Sequence, residues 1–443
     1  MGGLADRSRR QFRAWIPTLG VALTRVVGVL ANFVVLVVFA RLLTVPEFGT
    51  LSALLALSAF LAVPAVRGSD QSAIRLVAIR RGDLPAVRDI IRRLVLRSVL
   101  GSCIFGGIAS LAGVVVVIMM SRDLGVALIL TGATVVMLAL LRVGEGSLRG
   151  AGSVVLALIG TNAVLPVVTI GTALLWSTAD DSIGIVEGAA ARLAGSTLAA
   201  GTVFVLLVRQ LAQSSKGKPA DQSITASGQH FLRAARWLMV VGVANAALTQ
   251  VDVIILAIIG DPTEAGLYSA AARTAIAMNI ALMAVNFTLG PRVARLFFAE
   301  ERNQLQSAVT QAARAATVSA GVMAIGLLAF APDVLLLFGP EFTAAATALR
   351  ILSLGYLMSA FCGPAGTVLN MTGAQQSSGI AMIVALGVDL VLLFTLIPPL
   401  GAVGAAIASA TSMATWNVLM VISARRILKI DVTAIGWKVR HAG

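Results

Sequence analysis

Charged residues make up only 12% of this 443-residue chain, about half the share that gives a soluble domain its polar surface. That shortage excludes a soluble fold. Aromatic residues are also scarce, at 5%, and a cleft for organic cations would draw on acidic and aromatic side chains. The two cysteines, Cys103 and Cys362, sit in apolar stretches, and the two histidines, His230 and His441, in polar ones. Neither pair can build a zinc site or a CxxC redox pair, and no disulfide is expected. Acids are few too, with 20 Asp plus Glu against 34 Lys plus Arg and a formal net charge of +14. No aromatic-studded basic patch accompanies that excess, so it points away from nucleic acid. It reads as a cytoplasmic face meeting anionic membrane lipid.

What the chain has is apolar surface: 58% of residues are hydrophobic and the mean hydropathy is +0.94. A spanning helix takes about 20 residues, so the length accommodates roughly a dozen. Apolar runs predict spans at roughly 17–42, 49–66, 98–120, 124–141, 154–176 and 183–208, then 237–260, 265–290, 315–338, 344–369, 378–397 and 401–424. The basic start MGGLADRSRRQFRAW leads into a segment too long for a signal-peptide core, so the first helix is expected to stay in the membrane. The one long linker-like stretch, RQLAQSSKGKPADQSITASGQHFLRAAR, divides the chain. Residues 1–208 form an N-terminal six-helix lobe, 209–236 a cytoplasmic inter-lobe linker, and 237–443 a C-terminal six-helix lobe with a basic cytoplasmic tail.

Positive charge tests this division, because cytoplasmic connections collect Lys and Arg. With the N-terminus inside, the inward segments hold 28 of the 34, the second connection alone carrying Arg67, Arg75, Arg80, Arg81, Arg88, Arg92, Arg93 and Arg97. The outward connections hold Arg122 alone, and Arg25, Arg41, Arg192, Arg273 and Arg350 fall within spans. A multi-pass protein of a bacterial-type cytoplasmic (inner) membrane with both termini cytoplasmic is the expectation. Segment 67–97 groups Arg88, Arg92 and Arg93 beside Ile90, Ile91 and Leu94, the pattern of an interfacial helix on anionic lipid or of a solvated charge run.

The halves repeat one another. PEFGTLSA at 46–53 aligns with TEAGLYSA at 263–270, an offset of 217, and Gly188-Ala189-Ala190 and Arg209 align with Gly404-Ala405-Ala406 and Arg425 at 216. Six helices separate equivalent positions, so the repeats are parallel. Two parallel six-helix lobes around a central cavity is the layout of an alternating-access carrier, and the fold class is an all-α polytopic membrane protein of about twelve transmembrane helices.

Several strings carry a family resemblance. FARLLTVPEFGTLSALLALSAFL with GSDQSAIRLVAIRRGD, VDVIILAIIGDPTEAGLYSAAARTAIAMN, LRILSLGYLMSAFCGPAGTVLNMTGAQ and LIPPLGAVGAAIASATS together resemble the polysaccharide-type flippases of the multidrug/oligosaccharidyl-lipid/polysaccharide exporter superfamily. The resemblance implies a two-lobed carrier that flips polyprenyl-diphosphate-linked oligosaccharide from the cytoplasmic to the outer leaflet for cell-surface polysaccharide assembly. It implies a lipid-linked glycan as substrate and, as partners, glycosyltransferases and a polymerase of the same pathway. TRVVGVL at 24–30 is similar to the arginine-bearing first helix of lipid II flippases, which makes Arg25 a candidate contact to lipid diphosphate; the acid that often follows is replaced by Ala31-Asn32.

A charge at the centre of a bilayer costs about 2.5–3.5 kcal/mol, so it faces protein or water. Arg25 lies roughly 12 Å and Arg192 roughly 14 Å from the nearer end of their predicted helices at a 1.5 Å rise, with Arg273 and Arg350 shallower. These four are the candidate cargo-binding cations, with snorkelling or structural pairing as the alternatives. A guanidinium offers forked hydrogen bonds to phosphate or carboxylate. The predicted spans hold two acids, Asp252 and Asp389. Either could take up a proton or coordinate sodium and couple transport to an ion gradient, or form a helix–helix hydrogen bond or ion pair. Leu165-Pro166, Gly290-Pro291 and Gly363-Pro364 are candidate helix breaks. No other cofactor is expected. The rival readings are a multidrug exporter, a lipid II flippase, a membrane polysaccharide polymerase or ligase, and a scaffold for glycosyltransferases.

Overall fold

The computed structural model describes residues 2–80, 83–179, 183–214 and 228–436. The middle of the predicted linker, 215–227, and the tail end 437–443 with Lys438 and Arg440 lie outside the described residues. Packing divides the chain into two units, Met1–Leu43 with Leu57–Ala226, and Thr44–Ala56 with Ser227–Gly443.

In order, the first half holds α1 (Gly2–Leu42), α2 (Val45–Val66), α3 (Ser69–Ile79), α4 (Leu84–Met119), α5 (Arg122–Gly150), α6 (Val154–Ile159), α7 (Leu165–Ala179) and α8 (Ile185–Ser214). The second holds α9 (Gly228–Ile259), α10 (Pro262–Ala275), α11 (Asn279–Phe298), α12 (Arg302–Ala329), α13 (Ala331–Leu335), α14 (Ala346–Cys362), α15 (Ala365–Met371) and α16 (Gln375–Ser423). The described structure is all-helical, as a bilayer requires where every backbone group must be satisfied within its own segment. Among the described residues ten helices are long and apolar enough to cross a membrane. The longest stretch is broken by non-helical backbone at Gly401 (φ 52°) into two, and α10–α11 forms a further broken segment, so the twelve-helix layout fits.

Helix α4 shows how the sequence assigns its faces. Leu96, Leu100, Ile104, Ile108, Leu111 and Val115 stand exposed at three- and four-residue intervals, an apolar stripe suited to lipid. Ser98, Gly101, Ser102, Gly106, Ala109 and Gly113 are buried on the other side, where small residues let α4 approach its neighbours closely. Asp83 and Ser121 start α4 and α5 by accepting the backbone N–H of Ala86 and Leu124 at 3.2 and 3.3 Å. Asp261 caps α10 through Thr263 N at 2.8 Å, and that bond holds its carboxyl below the usual carboxylate range.

Two expectations need correction. The fourth span does not end near 141: α5 continues to Gly150, so Arg142 and Arg149 lie on the helix and not in a connection. Its last turns hold because Gly146 and Gly150 let α3 press close; a Cβ on Gly150 would stand 2.8 Å from the Ile74 carbonyl and one on Gly146 would overlap that of Asp70. Segment 67–97 is not one interfacial helix but α3 plus the opening turns of α4, continuous with the span. Two of the candidate breaks are met: the fifth span is interrupted by a π-helical turn, Gly160–Val164, just before Pro166. The tenth breaks at Gly363 (φ 73°), where Pro364 has no N–H to continue the ladder.

Beyond the last span comes the basic tail. Its described part folds back onto the second unit: Ala434 N donates to Phe361 O at 3.1 Å beside the Gly363 break. Gln306 clamps the Asp431 backbone from both sides, donating to its carbonyl at 2.6 Å and accepting its N–H at 2.9 Å. Asp431 is fully buried and pairs with Arg425 at 3.1 Å.

Candidate functional site

Each unit carries a polar cluster among its spanning helices. In the first, Arg142, Glu145 and Arg149 fall at i, i+3 and i+7 on α5, one face of the helix. Glu145 is 8% exposed. One carboxylate oxygen accepts the Thr161 hydroxyl in a short hydrogen bond, and the other meets Arg149 Nη2 at 3.4 Å. Arg142 lies within electrostatic range of Glu145, and Arg25 within range of both Glu145 and Arg149.

The π turn holds this arrangement together. A π turn widens the helix and re-aims its side chains. Here Thr161 binds Glu145 while the next residue, Asn162, donates to the Thr24 carbonyl at 3.1 Å. Gly28 leaves room for the Asn162 side chain, which a Cβ there would overlap. The backbone that carries Arg25 is thereby fixed against the same turn that holds Glu145.

The second unit's cluster is acidic and phenolic. Asp252 on α9 is 5% exposed and Asp389 on α16 is fully buried. Tyr268 on α10 donates to Asp252 Oδ2 at 2.6 Å and lies 2.6 Å from the Ser409 hydroxyl, which itself makes a short hydrogen bond to that oxygen. Asp389 lies within interaction range of Asp252 and Ser412. Among the described residues, Asp252 Oδ1 and both Asp389 oxygens have no hydrogen-bond partner. Two such carboxylates repel one another unless a proton or a cation lies between them. At the cluster's edge Arg273 donates to Gln250 at 3.1 Å, within electrostatic range of Tyr268 and Tyr356, the only two tyrosines in the chain.

Of the residues singled out from sequence, Arg25 joins the first cluster, and Asp252, Asp389 and Arg273 gather in the second. Arg192 lies partly buried on α8. Arg350 is exposed and donates to the Leu328 carbonyl at 3.0 Å, closing the C-terminal end of α12. Glu145 and Arg149 were missed because GEGSLRG reads as a polar turn, and Thr161 and Asn162 because they are uncharged residues within a predicted span. The signal that finds Glu145 and Arg149 is Gly146 and Gly150 at i, i+4 continuing an apolar helix.

Comparison with known proteins gives a family and a fold. The family described as polysaccharide biosynthesis protein matches residues 18–297. A curated relative, the probable low-salt glycan biosynthesis flippase Agl15 of Haloferax volcanii, is 25% identical over 206 residues. That match spans 46% of this chain and 44% of the relative, less than half of its length. Among solved structures, an inward-facing multidrug resistance MATE family transporter of the MOP superfamily superposes with a TM-score of 0.67 at 15% identity, covering 91% of this chain and 94% of that one. A MOP superfamily transporter from Pyrococcus furiosus, for which reverse polarity of the binding pocket suggests a different function, superposes with 0.62 at 15% identity, covering 93% and 94%. At such identities the likeness shows the fold.

Proposed function

The chain belongs to the polysaccharide biosynthesis protein family, within the MOP superfamily of flippases and exporters, and on that footing we propose that it flips a polyprenyl-diphosphate-linked oligosaccharide from the cytoplasmic to the outer leaflet. The observation that carries this reading is the first-unit cluster, where Arg149 contacts the Glu145 carboxylate and Arg25 and Arg142 lie within electrostatic range of it. An anion is the cargo such a site selects, and planar guanidiniums suit the oxygens of a diphosphate. An exporter of organic cations would need the opposite balance.

Alternating access then needs an energy source, and the facing carboxylates of Asp252 and Asp389 are the candidates for a proton or sodium site. Their exchange of that ion would bias the conformational equilibrium by its differential affinity for the two states. Moving the cargo breaks no covalent bond. The setting is a cytoplasmic membrane, with glycosyltransferases making the cargo inside and a polymerase consuming it outside.

Deletion of the gene tests the reading. Polyprenyl-diphosphate-linked oligosaccharide should accumulate on the cytoplasmic leaflet while surface polysaccharide falls, and plasmid-borne protein should reverse both. Unchanged lipid-linked pools with sensitisation to cationic drugs would overturn it in favour of drug export.

A further inference from the structure

We infer that Glu145 is a built-in counterion that a diphosphate group displaces from the first-unit arginines, an inference that rests on the anionic-cargo reading above. Two features of the cluster carry it. The contact that must be broken is weak, since Glu145 meets Arg149 through a single 3.4 Å approach and not a forked pair. The carboxylate also has a place to stay, because its other oxygen remains held by the Thr161 hydroxyl on the π turn.

The empty and loaded states follow from that geometry. Without cargo, Glu145 offsets part of the cost of holding guanidiniums in an apolar body. With a diphosphate present, Arg149 and Arg25 turn to its oxygens, and Glu145 stays with Thr161 as a repulsive neighbour. When cargo leaves, Glu145 takes the arginine back, so it shortens the residence of the cargo. Glu145 is therefore a positioning residue for release as well as for the empty site.

Binding to the full-length wild-type protein and its variants in lipid nanodiscs tests this, with inorganic pyrophosphate and farnesyl diphosphate as probes. Wild type should bind both, and Arg149→Ala should weaken both. Glu145→Gln keeps the shape and the Thr161 contact but removes the competing charge, and should bind both probes tighter, on the order of fivefold, while turnover in flipping falls. Tightening for farnesyl diphosphate alone would assign the site to lipid-linked diphosphate; tightening for both assigns it to the diphosphate group itself. Thr161→Val frees the carboxylate to follow Arg149 and should weaken binding, which keeps the inference testable even if the Gln variant misfolds. Unchanged or weaker binding by a folded Glu145→Gln, or unchanged binding by Thr161→Val, overturns the counterion role alone. A wild type that binds neither probe overturns the anionic-cargo reading and this inference with it.

Discussion

Gly49 and Gly266 occupy the same position in the two sequence repeats and pack backbone against backbone. A Cβ on Gly49 would stand 2.6 Å from Gly266 N and overlap the Pro262 carbonyl, and a Cβ on Gly266 would stand 2.5 Å from the Val45 carbonyl. The repeat aligned on PEFGTLSA and TEAGLYSA is thus a contact as well as a similarity. It explains why residues 44–56 group with the second half of the chain. No side chain fits that crossing, so Gly49→Ala or Gly266→Ala should cost roughly 1–3 kcal/mol by overpacking. Thermal unfolding of purified protein reads this out, with Gly201→Ala, where the added Cβ meets nothing, as the unaffected control.

The docked tail yields a second prediction. Asp431 is buried, ion-paired to Arg425 and bonded to Thr433 N at 3.0 Å. Replacing it with Ala removes the pair and the turn it organises, and should destabilise the protein by about 2 kcal/mol. A thermal midpoint equal to that of wild type would show that the segment contributes nothing to the fold.

The charge distribution predicts sidedness. Single cysteines at Asp89 and Asp123 in an otherwise cysteine-free protein should label from opposite sides of the membrane, inside and outside respectively. Labelling of both from one side would remove the twelve-helix topology.

Coupling can be located by removing titratable charge at constant shape. Asp252→Asn and Asp389→Asn should each abolish the dependence of transport on the proton or sodium gradient. If both single variants and the double variant keep wild-type dependence on pH and on sodium, neither carboxylate is the coupling site.

The pattern of what could be read from sequence follows from the bilayer. Asp252 and Asp389 stood out because a charge within a long apolar run is costly and therefore conspicuous, and the structure sets them side by side with Tyr268 and Ser409. Glu145 did not stand out because it is flanked by Gly144 and Gly146 and by arginines, a composition shared by cytoplasmic turns. α3 packs closely on Gly146 and Gly150 there, and the one trace of that contact in the sequence is the i, i+4 spacing of the two glycines. The Gly401 kink was legible as a boundary between two spans, but not the carboxylate that holds it. Glu264 accepts Ala402 N at 2.7 Å across 138 residues of chain, a long-range partnership that no local pattern encodes.

Reconstituted flipping by the Arg25 series tests the assignment of function most directly. Proteoliposomes carrying a polyprenyl-diphosphate-linked oligosaccharide would be assayed for its transfer between leaflets with wild type, Arg25→Lys and Arg25→Ala. An ammonium keeps the charge but lacks the planar fork, so the Lys variant should transfer at a small fraction of the wild-type rate and the Ala variant should be slower still, with all three present at equal levels. Equal transfer by wild type and Arg25→Ala, or no transfer by any of them alongside export of an organic cation, would contradict a flippase that holds its cargo by the diphosphate.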